Sequence, residues 1–354
     1  MDADSVMIAV VNPMQGPLGI IGPPAQLCAQ LALEEINERG GILGRQVHLL
    51  SVDGGVAPAT VAARIESLVA RGLIDAVVGT HTSAVRERVT PVLRNQYPYV
   101  YTSLYEGGER NPGVFLTGET PDLQIAPAMR LLAEDRRIKR WAVVGNDYIW
   151  PRATAAYIRR HLARVEQELV GEWYEPLGRQ DFSGSLEWLS STGVEGVVVL
   201  LVGQDGVEFH RGFAARGLSR RITRLTPLMD ENMVYAAGIE ASHDLFVSAA
   251  YFSVLPTEGS LDFTGRYARR FGPDAPVVGT MAESCYEGMH LLAALAAAAG
   301  SLDISKMSQA ADSVVLDGPR GRQVIRDRHA IATTYLAEAE GLDFRILTDL
   351  LPKR

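Results

Sequence analysis

Ile74-Asp75-Ala76-Val77-Val78-Gly79-Thr80-His81-Thr82-Ser83 is the stretch whose reading decides the fold. It opens as a short apolar run, the pattern of a strand buried on both faces of a parallel sheet. Gly79 breaks the run, and a helical pattern follows from Ala84 to Leu93. Ser83 stands where a helix N-cap belongs. A strand thus ends, a polar loop opens, and a helix N-terminus points its free N–H groups at whatever sits there. Open α/β sheets bind their ligands at such places, outside the carboxyl ends of the strands. Ser83 therefore has two readings: it caps its helix, or it reaches a ligand.

The same plan recurs. Arg140 to Val144 leads into Gly145-Asn146-Asp147-Tyr148, and Gly196 to Val202 leads into Gly203-Gln204-Asp205. Tyr99-Val100-Tyr101-Thr102-Ser103 and Leu225-Thr226-Pro227 are shorter versions. Ser83, Thr102, Ser103 and Thr226 supply hydroxyls; Tyr101, Tyr105, Tyr148 and Tyr251 supply aromatic walls with a polar tip. His81 can do either. Such a set suits a small, uncharged polar ligand, with core packing as the competing reading for each tyrosine.

Strand and helix alternate around these points. Strands are expected at Val6–Val11, Val47–Val52, Ile74–Val78 and Tyr97–Tyr101, with helices at Pro23–Arg39, Pro58–Ala70 and Ala84–Leu93. The pattern restarts with a helix at Ala126–Ala133. Strands then fall at Trp141–Val144, Leu169–Tyr174, Val197–Val202 and Ile222–Thr226, and helices at Ala153–Glu166, Phe182–Ser190 and Val207–Ala215. A strand at Phe246–Ala250, helices at Leu261–Phe271 and Met281–Ala299, and three strands at Gly321–Arg326, Ala332–Ala339 and Asp343–Thr348 complete the chain. Alternation of this kind builds parallel sheets with helices on both faces. A length of 354 residues suits two domains. The expected fold class is α/β, two doubly wound parallel-sheet lobes. The first takes residues 1–120 and 250–320, the second 121–249 and 321–354.

A formal net charge of −8 without any block of like charge argues against nucleic acid as a partner. The Arg-Arg pairs at 136–137, 159–160, 220–221 and 269–270 are dispersed and read as solvated helix faces. Cys28 and Cys285 lie in apolar helical patterns with no third ligand near either, so no metal site is read and two buried thiols are favoured over a disulfide. The longest apolar segment, Met289 to Ala299, is too short to span a bilayer. Met1-Asp2-Ala3-Asp4 is acidic, which is not a signal peptide. The expectation is a cytoplasmic protein if Met1 is the native start, and a periplasmic or extracellular one if a leader was removed.

No motif for chemistry emerges. Gly16-Pro17-Leu18-Gly19-Ile20-Ile21-Gly22 has the wrong spacing for a dinucleotide cradle. There is no Walker loop, no Gly-x-Ser-x-Gly elbow and no His-Glu-x-x-His. The carboxylate pairs Glu34-Glu35 and Asp230-Glu231 sit in helical contexts and read as solvated surface. With no nucleophile–base pair to propose, no enzyme and no cofactor are expected.

Several stretches carry a resemblance over nearly the whole chain. They are Gly79 to Arg86, Tyr101 to Gly107, Gly145-Asn146-Asp147-Tyr148-Ile149-Trp150-Pro151-Arg152, Tyr251-Phe252-Ser253, and Met281 to Tyr286. Leu31 to Asn37 followed by Gly40-Gly41 and Gly44-Arg45 adds to them. The sequence resembles the type I periplasmic binding proteins of the branched-chain amino-acid receptor group. Within that group it is similar to the amide-sensing receptors of aliphatic amidase regulation (AmiC-type regulators) and to urea and short-chain amide binding proteins. The resemblance implies two lobes joined by three crossings, with a cleft that closes on a small polar ligand. It places Ser83, Ser103 and Tyr148 on amide-site positions, with Tyr101, Val202 and Thr226 beside them. His81 stands where the amide receptors have tyrosine, and Leu104 where they have proline. Amino-acid receptors of the group hold the ligand's ammonium on a carboxylate, for which Glu119 and Asp122 are the candidates. The implied function is a ligand-responsive regulator of amide metabolism with an RNA-binding antiterminator as partner. The alternative is the binding component of an ABC importer, partnered by a permease; a homodimer is compatible with either.

Overall fold

The computed structural model describes residues 5–165 and 167–350. The acidic Met1-Asp2-Ala3-Asp4 segment, Glu166 at the end of one expected helix, and the last residues of the expected second lobe lie outside this range. In chain order, the first stretch runs β1 (Ser5–Asn12), α1 (Gly22–Glu38), β2 (Gln46–Asp53), α2 (Pro58–Ala70), β3 (Ala76–Gly79), α3 (Ser83–Val92), β4 (Tyr99–Tyr101) and β5 (Val114–Leu116). The second runs α4 (Pro121–Arg136), β6 (Arg140–Asn146), α5 (Ile149–Leu162), β7 (Glu168–Glu175), α6 (Ser183–Ser191), β8 (Gly196–Leu200) and α7 (Gly203–Ala215). It continues through β9 (Thr223–Thr226), α8 (Glu231–Ala237), α9 (Ile239–Ser242) and β10 (Leu245–Ala249). Then come α10 (Glu258–Phe271), α11 (Thr280–Ala299), α12 (Ile304–Ala310), β11 (Val315–Gly318), β12 (Gly321–Arg326), β13 (His329–Ile331), β14 (Tyr335–Glu340) and β15 (Asp343–Asp349).

The chain divides into two units. One holds the described residues up to Leu104, Gly108–Gly118 and Leu255–Ala332; the other holds Tyr105–Gly107, Glu119–Val254 and the described residues from Thr333 on. The first unit's sheet has the order β11-β12-β13-β5-β4-β3-β1-β2, and the second's β15-β14-β10-β9-β8-β6-β7. Strands β1 to β5 pair in parallel, as do β6 to β10; the strands that follow α12 pair mostly antiparallel. Both are mixed, mostly parallel α/β sheets.

One expectation is corrected here. The sequence pattern assigns residues 321–332 to the second lobe, but β12 and β13 lie in the first sheet, where β13 pairs with β5. The cause is a meander: β11, unseen in the sequence pattern, pairs antiparallel with β12 across the Gly318–Gly321 turn. That tight turn keeps β12, and then β13, in the sheet that β11 joins. Only β14 and β15 go to the second sheet.

The parallel strands form where the sequence is apolar because both their faces are covered. In the first unit Ile8, Ala9, Val10, Ala76, Val77 and Val78 are fully buried. In the second, Ala142, Val144, Val197 and Val199 pack with Phe182, Leu186, Phe209 and Phe213 from the covering helices. Two glycines let elements approach closely. A Cβ on Gly79 would lie 2.2 Å from Val11 O, so β3 lies tight against β1 only with glycine there. A Cβ on Gly288 would lie 2.4 Å from the Thr102 methyl, so α11 settles onto the end of β4. Among the described residues no single helix is long and apolar enough to cross a membrane. Both cysteines are buried free thiols.

Candidate functional site

At the carboxyl ends of the first unit's strands, the segment after β3 is held from three sides. Thr80 N–H donates to Asn12 Oδ1 at the end of β1 (3.1 Å). Thr80 Oγ1 lies 2.6 Å from Thr102 Oγ1 and donates to Met281 O on α11 (3.1 Å). His81 N–H donates to Ser103 Oγ (2.9 Å), while Ser103 Oγ and Tyr101 OH both donate to His81 O (each 2.8 Å). Ser284 Oγ donates to Thr102 O at 2.7 Å. His81, Ser83, Tyr101, Thr102 and Ser103 are thus one buried network.

Their roles differ from one another. Thr82, not Ser83, is the N-cap of α3: its side chain accepts from Val85 N–H at 3.4 Å. Ser83 is the first helical residue, and its Oγ lies 3.5 Å from Tyr101 OH and 3.4 Å from Arg86 Nη1. The capping reading of Ser83 is therefore corrected, because a threonine one residue earlier has the extended backbone that a cap needs. The His81 imidazole packs inward, with Nε2 2.8 Å from Tyr99 OH. Burial, with Arg86 adding to it, depresses its pKa to about 3, so the ring is neutral.

The second unit repeats the clamp. Val202 N–H donates to Asn146 Oδ1 (3.0 Å), as Thr80 N–H does to Asn12. In each unit an asparagine at the end of one strand holds the end of the next. Asn146 Nδ2 in turn donates to Asp205 Oδ2 at 2.7 Å. Tyr148 is the N-cap residue of α5 and is half-buried, its ring 6.3 Å from that of Trp150. Thr226 is fully buried, and its Oγ1 accepts from Leu228 N–H at 3.2 Å.

Past the end of β9 the structure shows what sequence reasoning missed. Asp230 and Glu231, read as solvated surface, are 2% and 5% exposed. Asp230 caps α8 through Oδ1, which accepts from Met233 N–H at 3.0 Å. Its Oδ2 is buried with no hydrogen-bond partner. Desolvation raises the Asp230 pKa to about 6; desolvation and then Asp230 raise Glu231 to about 8. Glu231 Oε1 accepts from Ser253 N–H at 2.6 Å. The available signal was position: the pair follows a strand end by only a few residues. The carboxylates favoured earlier are engaged by the chain. Glu119 Oε1 accepts from Ala250 N–H (2.8 Å), and Asp122 Oδ1 from Thr120 Oγ1 (2.6 Å). Among the described residues no group of acids, histidines and cysteines could hold a metal ion.

Comparison with known proteins gives the same architecture. The model of the periplasmic binding protein family matches residues 5–343. The chain belongs to that family. Several of the solved structures it resembles are solute binding proteins of ABC transporters. The Leu/Ile/Val-binding protein BraC3 of Rhizobium johnstonii is 29% identical over 197 residues, 54% of this chain and 53% of that protein. The chain thus spans about half the length of the curated relatives it matches. A periplasmic binding protein from Burkholderia mallei superposes with a TM-score of 0.88 at 20% identity, over 98% of this chain and 95% of the other. A solute binding protein of an ABC transporter from R. palustris, in complex with benzoate, gives 0.86 at 18%, over 98% and 97%. Among the periplasmic binding proteins the likeness is to the branched-chain amino-acid receptor group, with its type I fold.

Proposed function

We propose that the chain is the periplasmic substrate-binding component of an ABC importer and that its substrate carries an ammonium group, an aliphatic amino acid being the first candidate. The observation that carries this is the Asp230 carboxylate: buried beyond a strand's carboxyl end, with one oxygen unanswered. A buried charge is costly unless paired. A ligand ammonium supplies both a donor and the opposite charge; a neutral amide or urea supplies only the donor. The Leu/Ile/Val-binding relative supports the same class. In the first unit Ser83 and Ser103 are the contact candidates, with Tyr101, Thr102 and His81 shaping them from behind. In the second, taken separately, they are Tyr148, Thr226 and Asp230, with Val202 as an apolar wall. The amide-responsive regulator is the weaker reading, because it leaves the buried Asp230 charge without a counter-charge.

Calorimetric titration with leucine, isoleucine and valine beside acetamide and urea tests the proposal. Saturable binding of an amino acid, lost in Asp230→Ser, is the expected result. Binding of acetamide or urea with no response to any amino acid would return the regulator reading.

A further inference from the structure

We propose that the first unit carries a second small-molecule site, remote from the strand ends, which takes an aliphatic diamine or a similar organic cation. It is a groove of about 720 Å³ walled by α1, α10, α11 and β11. That volume falls in the ~300–1,000 Å³ range of small-molecule sites. Met281, at the start of α11, belongs to the strand-end network. His290, which lines the groove, lies nine residues further along that helix, roughly 13 Å at 1.5 Å per residue. The two sites are therefore different places on one helix.

The groove is open because α11 presents Ala293, Ala294 and Ala297 to it, where larger residues would fill the space. These alanines with Ile36, Leu316 and Pro319 give an apolar surface for a hydrocarbon chain. Its polar floor is centred on Glu35, which is buried, contrary to its reading as solvated surface. Glu35 is paired with Arg266 and accepts from Tyr286 OH at 2.7 Å. His290 Nε2 lies 3.3 Å from Glu35 Oε2 but is out of line for a hydrogen bond, and is buried with no partner. Burial first, then Arg39, lowers the His290 pKa to about 4, so a neutral ring offers a lone pair to an N–H donor.

Charge selects the ligand. Five carboxylates line the groove against two arginines. Glu35 and Asp262 are engaged by Arg266, and Glu287 by Arg320. Glu38 and Asp317 stand exposed in the lining, available to a cation arriving from solvent. Strand β11 is the edge of its sheet, so an outward row of backbone C=O groups adds acceptors. A short chain carrying two amines matches a groove that combines several acceptors with an apolar lining.

Titration of the full chain with 1,4-diaminobutane tests this by calorimetry, with melting curves to report folding. Wild type and Asp230→Ser should bind alike at one site. Ala294→Leu, which fills the groove, and Asp317→Asn, which leaves the fold untouched, should each weaken binding, the first by more than tenfold. No saturable binding to wild type would overturn the proposal. So would loss of binding in Asp230→Ser with Ala294→Leu and Asp317→Asn unaffected, which would assign the diamine to the strand-end site.

Discussion

Asp230→Ser should make the ligand-free protein more stable, although it removes a residue from the proposed site. Serine keeps a side-chain oxygen to cap α8, so the Met233 N–H retains its acceptor. What disappears is a buried carboxylate whose pKa is raised by desolvation from 3.8 to about 6. The sign follows from linkage. The native state holds the proton more tightly than the unfolded state, so stability falls as pH rises from about 4 to about 6 and is flat above. At about 1.4 kcal/mol per pKa unit the full penalty at pH 7.5 is ~3 kcal/mol. Lost packing around the smaller side chain takes back roughly 1 kcal/mol. A net gain of about 2 kcal/mol is expected at pH 7.5, with no gain at pH 4. Glu231 adds to the effect, since its own pKa is raised partly by Asp230. Urea unfolding of both proteins between pH 4 and 8, without ligand, reads the difference. A variant that is less stable than wild type at pH 7.5, or that keeps the wild-type slope, would refute the reasoning.

Three further outcomes follow from other parts of the molecule. Thr82→Ala should cost ~1 kcal/mol in chemical unfolding through loss of the α3 cap, whereas Ser83→Ala should cost less than half of that; the reverse order would restore Ser83 as the cap. Tyr99→Phe leaves His81 Nε2 buried without its partner at 2.8 Å and should destabilise by ~1–3 kcal/mol, measured by the shift in the urea midpoint. Arg320→Met strips the buried Glu283 and Glu287 of their shared cation and should destabilise by ~3–5 kcal/mol, while Arg320→Met with Glu287→Leu recovers only part of the loss because Glu283 stays unpaired; an additive double variant would deny the coupling.

The sequence by itself determined the two-part α/β architecture and where its longer parallel strands end. A parallel strand covered on both faces must be apolar along its length, so Ala76–Gly79, Arg140–Asn146 and Gly196–Leu200 announce themselves without any neighbour in view. Gly79 and the polar residues after it mark the turn to α3 for the same local reason. The short elements left no such trace. Strands β5, β11 and β13 are three or four residues long, too short for a period to show, and the sheet that receives β12 was misjudged with them. What tertiary structure alone decided is the state of the carboxylates. Asp230, Glu231 and Glu35 look like ordinary helix-surface acids, because local pattern records which face a residue occupies on its own element and not what packs over it. Burial by distant segments, Ser253 against Glu231 and Tyr286 with Arg266 against Glu35, turns them from solvated charges into the groups on which both proposed sites rest.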